Sequence, residues 1–394
     1  MSRLRVAYIL TRLDPGSAEL STLYAARNLN DSLFEAHVIA GPGGALDDEV
    51  NKQADISLQY CGELSREVRP LADLDTFDRL RTMLRELKPD IVHTQRGKAG
   101  VVGRLAAGAA GVPWLVHTYH GFGFHKYQPE GAYRLTVALD RETNRRSHYL
   151  VFVSAENLKT ARQMDLLQNC SSSLIRTGVE VEPLLQAKAG DAFRNDFEIP
   201  RKGKVVGMIA SLRPQKDPLT FVEAAALVAR KSRASRFLLF GDGELASAVS
   251  RRARKILIRT SFKHAGWTRN VPDVLANLDV LVVPSLWEGL PRIATEATIA
   301  GVPIVASRVD GLSEIVFEGR NGLYAEAQDA QDFAEKILQV INDGYQVDSE
   351  FSRQIQHEYD IREMVRHLET LYLQLASADE VASKDILQRY ENEL

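Results

Sequence analysis

The stretch Pro284-Ser-Leu-Trp-Glu-Gly-Leu-Pro-Arg-Ile-Ala-Thr-Glu-Ala-Thr-Ile-Ala-Gly-Val-Pro-Ile-Val-Ala306 reads as strand end, loop, helix, turn and strand. The apolar run Asp279-Val-Leu-Val-Val-Pro284 before it is short and β-branched, as in a buried parallel strand, and Pro284 ends it because proline cannot donate to the ladder. A helix is predicted from about Pro291. Ile293, Ala294, Ala297 and Ala300 recur at helical spacing, and Gly301 supplies the stop. In open α/β sheets ligands bind at the carboxyl ends of strands, where loop N–H groups and a helix N-terminus receive anions. Glu288 in the loop and Glu296 in the helix, eight positions apart, would repel phosphate there. Their expected work is to accept hydrogen bonds from hydroxyls beside it.

A hydroxylated sugar, a pyrophosphate and a ribose diol follow one another in a nucleotide sugar. Glu288, the backbone of Gly289, Leu290, Pro291, Arg292 and Ile293, and then Glu296 could serve them in the same order. Two glutamates at this spacing equally describe a solvated helix face. With its flanks, however, the stretch resembles the Glu-x(7)-Glu motif of the retaining glycosyltransferases of family four, which have the two-domain GT-B fold.

A chain of 394 residues with 45% hydrophobic content is long enough for two or three domains with sizeable cores. A net charge of −3 offers no argument for a nucleic-acid partner. Cys61 and Cys170 match no metal spacing, as expected of ordinary thiols in a reducing compartment. The start Met1-Ser-Arg-Leu-Arg5 runs straight into a strand and lacks a signal-peptide layout, and runs such as Leu150–Val153 are too short to span a bilayer. A cytoplasmic location, at most peripheral to the inner face of the membrane, is expected.

Strand and helix alternate over residues 1–190, resume over 204–360, and are separated by a polar, Gly- and Pro-containing stretch at 191–203 that reads as a linker. Such alternation predicts α/β architecture: two doubly wound, Rossmann-like parallel sheets, facing across a cleft. Residues 361–394 begin with a helix carrying Met364, Leu368, Leu371, Tyr372 and Leu375 on one stripe. The resemblance implies that this helix returns to the first domain; residues 379–394 read as a mobile tail.

A dehydrogenase would show Gly-x-Gly-x-x-Gly at a first strand–helix turn, and neither half does. The second half has Ser211-Leu-Arg-Pro-Gln-Lys-Asp-Pro218, with Asp217 as N-cap and Pro218 at N1. Arg213 and Lys216 would therefore add positive charge where a leaving diphosphate develops negative charge. The family commonly carries Gly-Arg-Leu-x-x-x-Lys-Gly here. Ser211 stands at the motif arginine and Lys216 is retained, which implies that Lys216 binds the diphosphate and Arg213 substitutes; a solvated basic turn is the plainer reading. Gly241-Asp-Gly243 resembles the family turn beside the donor nucleotide, though a tight turn needs no ligand. The segment around Gly266 and Trp267 resembles the one whose backbone reads the base, and Val309–Val316 has packing and sugar contact equally open.

In the first half, Gly16-Ser17-Ala-Glu19 resembles the family's Gly-Gly-Ala-Glu turn at the sugar phosphate, with Ser17 at the second glycine; a positive φ there would suit serine poorly. His93 at a strand end reads as structural. Thr118-Tyr-His-Gly-Phe-Gly-Phe124 looks like enzymes that assemble capsule, exopolysaccharide or O-antigen sugars on polyprenyl-diphosphate lipids. By that resemblance His120 contacts the donor sugar at the reacting centre, where the leaving phosphate helps to deprotonate the acceptor. Tyr119, Phe122, Phe124 and Tyr127 could stack on an acceptor sugar or pack on their own domain. Arg134, Arg141, Arg145, Arg146 and Lys159 could form a cationic face worth roughly 1 kcal/mol per side chain beside anionic lipid, or an ordinary solvated one.

The expectation is thus a retaining, metal-independent hexosyltransferase without a cofactor. It would use a nucleotide-diphosphate sugar, UDP or GDP, and a glycan or lipid-linked acceptor. A sugar-nucleotide epimerase or phosphorylase of the same fold, or a non-catalytic partner subunit, is the alternative.

Overall fold

The computed structural model describes residues 3–52, 56–62, 64–65, 69–168, 170–256 and 261–377. The tail expected at 379–394 lies outside the described residues. Two compact units emerge, one built from residues up to Gly178 together with those from Ile361 onward, the other from Val179–Asp360.

The first unit holds a parallel sheet of β1 (Leu4–Arg12), β2 (Phe34–Gly41), β3 (Ser57–Tyr60), β4 (Ile91–Gln95), β5 (Trp114–Tyr119), β6 (Tyr149–Phe152) and β7 (Ser171–Leu174), in the order β3-β2-β1-β4-β5-β6-β7. The sequence order reverses between β1 and β4. Loops leaving those strands diverge to opposite faces and open a crevice at their carboxyl ends. Strand β4 is buried throughout. The helix Gly97–Ala110 lies close on the sheet because its small residues permit it: a Cβ at Gly100 would come within 2.4 Å of the His117 ring. Strand β3, Ser-Leu-Gln-Tyr, is short and lacks β-branched residues, so the sequence alone carries little signal for it.

The helix Ile361–Ser377 belongs to this unit. Its predicted stripe is buried in the core formed by β1, β2 and their neighbours. Tyr372, fully buried, joins His93 Nδ1 at 2.6 Å and donates to the Tyr8 hydroxyl at 3.0 Å. Glu369 accepts a hydrogen bond from the Asn30 N–H at 2.6 Å.

The second unit repeats the plan with β8 (Val205–Ile209), β9 (Arg236–Phe240), β10 (Phe262–Gly266), β11 (Val280–Val283), β12 (Ile304–Ser307) and β13 (Gly322–Ala325), ordered β10-β9-β8-β11-β12-β13. Here the order reverses between β8 and β11. The division between units falls at Gly178, earlier than the polar stretch suggested. Val181 and Leu184 are buried in the second unit, in a short helix packed on the helices Val271–Ala276 and Arg292–Ile299. Residues 191–203, expected as linker, carry the helix Asp191–Asp196, whose Phe193 is buried and whose Arg194 donates to the carbonyls of Pro200 and Gly203. Too few apolar residues mark this segment for periodicity to reveal it.

Candidate active site

The reversal in the second unit places the loops after β8 and β11 side by side. After β8, Arg213 opens a 3-10 turn, Pro214–Lys216, and Asp217 caps the helix Pro218–Lys231 by accepting from the Thr220 N–H at 3.4 Å, with the Thr220 hydroxyl donating to its other oxygen at 2.6 Å. Asp217 does so in a left-handed conformation, φ 43°. The turn aims Lys216 at the loop after β11, where its Nζ pairs with Glu288 Oε1. The Ser285 hydroxyl donates to the same oxygen at 2.6 Å. Further bonds lace the two loops: Leu286 N–H to the Gln215 carbonyl, 2.8 Å, and Gln215 Nε2 to the Trp287 carbonyl, 2.9 Å. Glu288 is only 6% exposed. A carboxylate so buried is tolerated because a cation and a hydroxyl meet it. Ser211 is exposed and Arg213 half-buried.

Beyond Glu288 the backbone of Gly289 is approached by the loop Val309–Val316; a Cβ at Gly311 would sit 1.7 Å from the Gly289 carbonyl oxygen. The Glu288 N–H donates to Asp310 at 3.3 Å. This loop packs on the candidate donor loop, one of its two expected roles. Leu290 and Pro291 are buried and Ile293 half-buried. The helix runs Arg292–Ile299 with Pro291 at N-cap, one residue later than expected. Arg292 Nε donates to Glu296 Oε1 at 2.6 Å, an i,i+4 pair with Glu296 8% exposed. Each glutamate of the motif therefore has its own cation.

At the end of β9, Gly241 has φ 135° and its missing Cβ would lie 1.8 Å from the Ala210 carbonyl oxygen, so close strand-end packing alone demands this glycine. Its N–H donates to the Gly266 carbonyl at 2.7 Å, and His264 Nε2 lies 2.9 Å from the Gly241 carbonyl oxygen. Gly266, φ 76°, has open space around its Cβ position, and Trp267 beside it is half-exposed.

In the first unit, Gly16 is N-cap of the helix Ser17–Asn28 with φ −114°, so neither Gly16 nor Ser17 needs the left-handed region. What Gly16 supplies is room: a Cβ there would meet Glu19 Oε2 at 2.4 Å. Glu19 is buried and lies 3.3 Å from Arg96, which follows β4 with φ 61° and ψ 176°, a strained conformation of the kind concentrated at functional sites. His120 follows β5, and its Nε2 lies 2.7 Å from Gln95 Oε1 at the end of β4. Burial first, then the charge of Arg96, hold the His120 imidazole neutral, its pKa well below the usual value. His93 itself is structural, locked between Tyr372 and Thr118 and pushed by burial down to about 3.

Tyr119 and Phe124 are buried in a cluster with Phe152 and Leu150, whereas Tyr127 is 41% exposed. The cations expected as a membrane-facing patch largely pair on their own helices: Arg134 with Glu130, Arg145 and Arg146 with Glu142, Lys159 with Glu156. Arg141 donates to the Met164 carbonyl. No helix among the described residues is long and apolar enough to cross a membrane, and no cluster of three or more His, Cys, Asp or Glu there could hold a metal. Sequence reasoning missed Ser285, Gln95, Arg96 and the side-chain role of Arg292. Ser285 and Gln95 stood at predicted strand ends, the one signal that could have singled them out.

Residues 190–358 match the family model of glycosyl transferases group 1, and residues 16–168 match the glycosyl transferase 4-like domain. The chain is 28% identical over 346 residues to the Escherichia coli UDP-Gal:alpha-D-GlcNAc-diphosphoundecaprenol alpha-1,3-galactosyltransferase, covering 87% of this chain and 89% of that one. It is 26% identical over 308 residues to the Campylobacter jejuni N,N'-diacetylbacillosaminyl-diphospho-undecaprenol alpha-1,3-N-acetylgalactosaminyltransferase, covering 75% and 80%. Among solved structures, Anabaena HepE in complex with UDP and glucose superposes with a TM-score of 0.78 at 20% identity, covering 94% of this chain and 100% of that one. Sucrose-phosphate synthase from Thermosynechococcus elongatus reaches 0.81 at 18%, covering 95% and 100%; both show the GT-B fold. Transferases on both sequence comparisons do not favour an epimerase, a phosphorylase or a non-catalytic subunit. Two parallel sheets with paired acid and base at their reversal points, and two family models that together span most of the sequence, make this chain a glycosyltransferase of group 1.

Proposed function

We propose that the protein is a retaining glycosyltransferase that moves a hexose from a nucleotide-diphosphate sugar to a polyprenyl-diphosphate-linked sugar in bacterial surface-polysaccharide synthesis. The observation that carries this reading is the Lys216–Glu288 pair, backed by Ser285, at the strand reversal of the second unit. An ammonium and a carboxylate held together suit a ligand with phosphate charge on one side and hydroxyls on the other.

In the reaction the bond from the anomeric carbon to the diphosphate oxygen breaks, and a bond to the acceptor hydroxyl forms on the same face. The hydroxyl proton passes to the departing phosphate. Lys216 and Arg213 meet the diphosphate charge, with the backbone N–H groups of Gly289–Ile293 beside them, so this reading needs no metal. Glu288 takes the hexose hydroxyls and Glu296 the ribose. Gly241, Gly266 and Trp267 border the nucleotide, Gly16 and Ser17 the sugar phosphate, and His120 the reacting end of the sugar.

UDP is the nucleotide favoured over GDP, because the Escherichia coli relative is named for UDP-Gal. The names of the Escherichia coli and Campylobacter jejuni relatives, each of which contains a diphosphoundecaprenol-linked sugar, support the lipid acceptor and hence work at the inner membrane face. Exposed Leu135, Leu139 and Tyr127 offer apolar contact there more than the paired cations do.

A panel of UDP-, GDP- and ADP-sugars, with membrane-extracted lipid as acceptor and EDTA throughout, tests the whole reading. Nucleotide release from a UDP-sugar, boosted by the lipid and yielding the α-linked product from an α-linked donor, is the expected result. An inverted product, or loss of turnover with EDTA restored by a divalent cation, would refute the stereochemical or the metal part.

A further inference from the structure

Strands β4 and β5 are neighbours in register, Gln95 opposite Thr118, so they deliver Gln95 and His120 to the same end of the sheet. Gln95 is 4% exposed, and its Oε1 lies 2.7 Å from His120 Nε2. A carbonyl oxygen only accepts, so Nε2 carries the hydrogen of the bond. The imidazole is neutral in this setting, with burial and the Arg96 charge both opposing a second proton. Its other nitrogen, Nδ1, is therefore a bare lone pair.

That lone pair is buried and meets no hydrogen-bond partner among the described residues. Buried acceptors are ordinarily satisfied, and one left open beside a strand reversal marks a place for a ligand donor. The remaining ionisable groups nearby do not supply one. His117 is bonded to Thr94, His93 to Tyr372 and Thr118, and Glu19 lies against Arg96.

We propose that Gln95 is a positioning residue that locks His120 in the Nε2–H tautomer, so that Nδ1 accepts a hydrogen bond from a hydroxyl of the transferred sugar. The identity of that donor as a sugar rests on the function proposed above; the tautomer does not. Arg96, held in its strained conformation beside Gly16, keeps a positive charge near the ring and so opposes a second proton at Nδ1.

The test is two-bond proton–nitrogen correlation spectroscopy on the full chain labelled with 15N-histidine, across neutral pH, with His120→Asn to assign the signal. Wild type is expected to show a single Nε2–H tautomer, and saturating UDP-sugar to move the Nδ1 resonance. Gln95→Leu should mix the tautomers and lower kcat/KM roughly tenfold, the scale of one lost hydrogen bond. Gln95→Glu should raise the pKa of His120 and add an acid limb to the kcat/KM profile, which a merely structural glutamine would not do. An Nδ1–H or doubly protonated ring in wild type, an unmoved Nδ1 resonance, or a Gln95→Leu variant with unchanged tautomer and kcat/KM overturns the proposal. The ligand-free spectra need no donor, so absence of transfer from every nucleotide sugar would count against the proposed reaction and leave the tautomer assignment standing.

Discussion

Lys216 and Glu288 come from loops 72 positions apart in the chain and meet as an ion pair whose carboxylate is almost fully buried, with Ser285 donating to the same oxygen. Such a pair is a poor source of stability, because desolvating two charges cancels most of their attraction. Its position at the reversal of strand order is a reason to look for its work in ligand binding.

Removing only one partner separates the two contributions. Lys216→Ala strands a buried carboxylate and should both lower the melting temperature and cut kcat at least tenfold. The double variant Lys216→Met/Glu288→Gln should recover much of the stability and none of the activity. Thermal unfolding beside steady-state kinetics reads both, and wild-type turnover in either variant would remove Lys216 from the site.

Glu296→Ala deletes the acceptor that now holds Arg292 Nε at 2.6 Å. If Glu296 serves the ribose, this variant should raise the donor KM by one to two orders of magnitude, as expected for a charge-assisted bond of about 1.5–3 kcal/mol. Wild type should discriminate against a 2'-deoxyribose donor, and the variant should not. Equal discrimination by both proteins would assign Glu296 to the Arg292 pair alone.

The two kinds of glycine requirement give a stability contrast. Gly241→Ala faces φ 135° and a backbone oxygen 1.8 Å from its new methyl group, and should cost more than about 3 kcal/mol. Gly111, the left-handed cap of the helix Gly97–Ala110, has φ 79° with open space around it, so Gly111→Ala should cost about 1 kcal/mol. Denaturant unfolding compares them; equal losses would mean that the close approach at Ala210 relaxes freely.

His93 predicts a pH dependence of stability. Its folded pKa, about 3, lies below the ordinary histidine value of 6.5, so the unfolded chain binds the extra proton first. The stabilising effect is complete above 6.5 and is lost as the pH falls from there toward 3, at up to about 1.4 kcal/mol per pH unit. His117, also buried and depressed, adds slope of the same sign. His93→Gln should flatten the acid side of the urea-midpoint profile, whatever its effect on absolute stability; a curve parallel to wild type would refute the assignment.

Much of this protein was legible from local chemistry. Val280–Val283, the helix stop at Gly301, the Asp217 cap and the stripe on Ile361–Ser377 depend on β-branching, capping and periodicity, which act over a few residues and leave their mark in the sequence. The sequence also located Glu288, Lys216 and His120 in loops after predicted strands and Glu296 in the helix that follows one, and so near a ligand crevice. Which groups those side chains meet was decided by tertiary structure alone. Lys216 meets Glu288 because β8 and β11 are neighbours, Gln95 reaches His120 because β4 and β5 are, and His93 is locked by a tyrosine 279 positions away. Partners of this kind depend on strand order, a long-range property on which neither spacing nor periodicity bears. The cationic helices lie on the local side of this distinction: Glu130, Glu142 and Glu156 stand three or four positions from the arginines and lysine they neutralise, a spacing already present in the sequence, and no long-range contact is needed for those pairs.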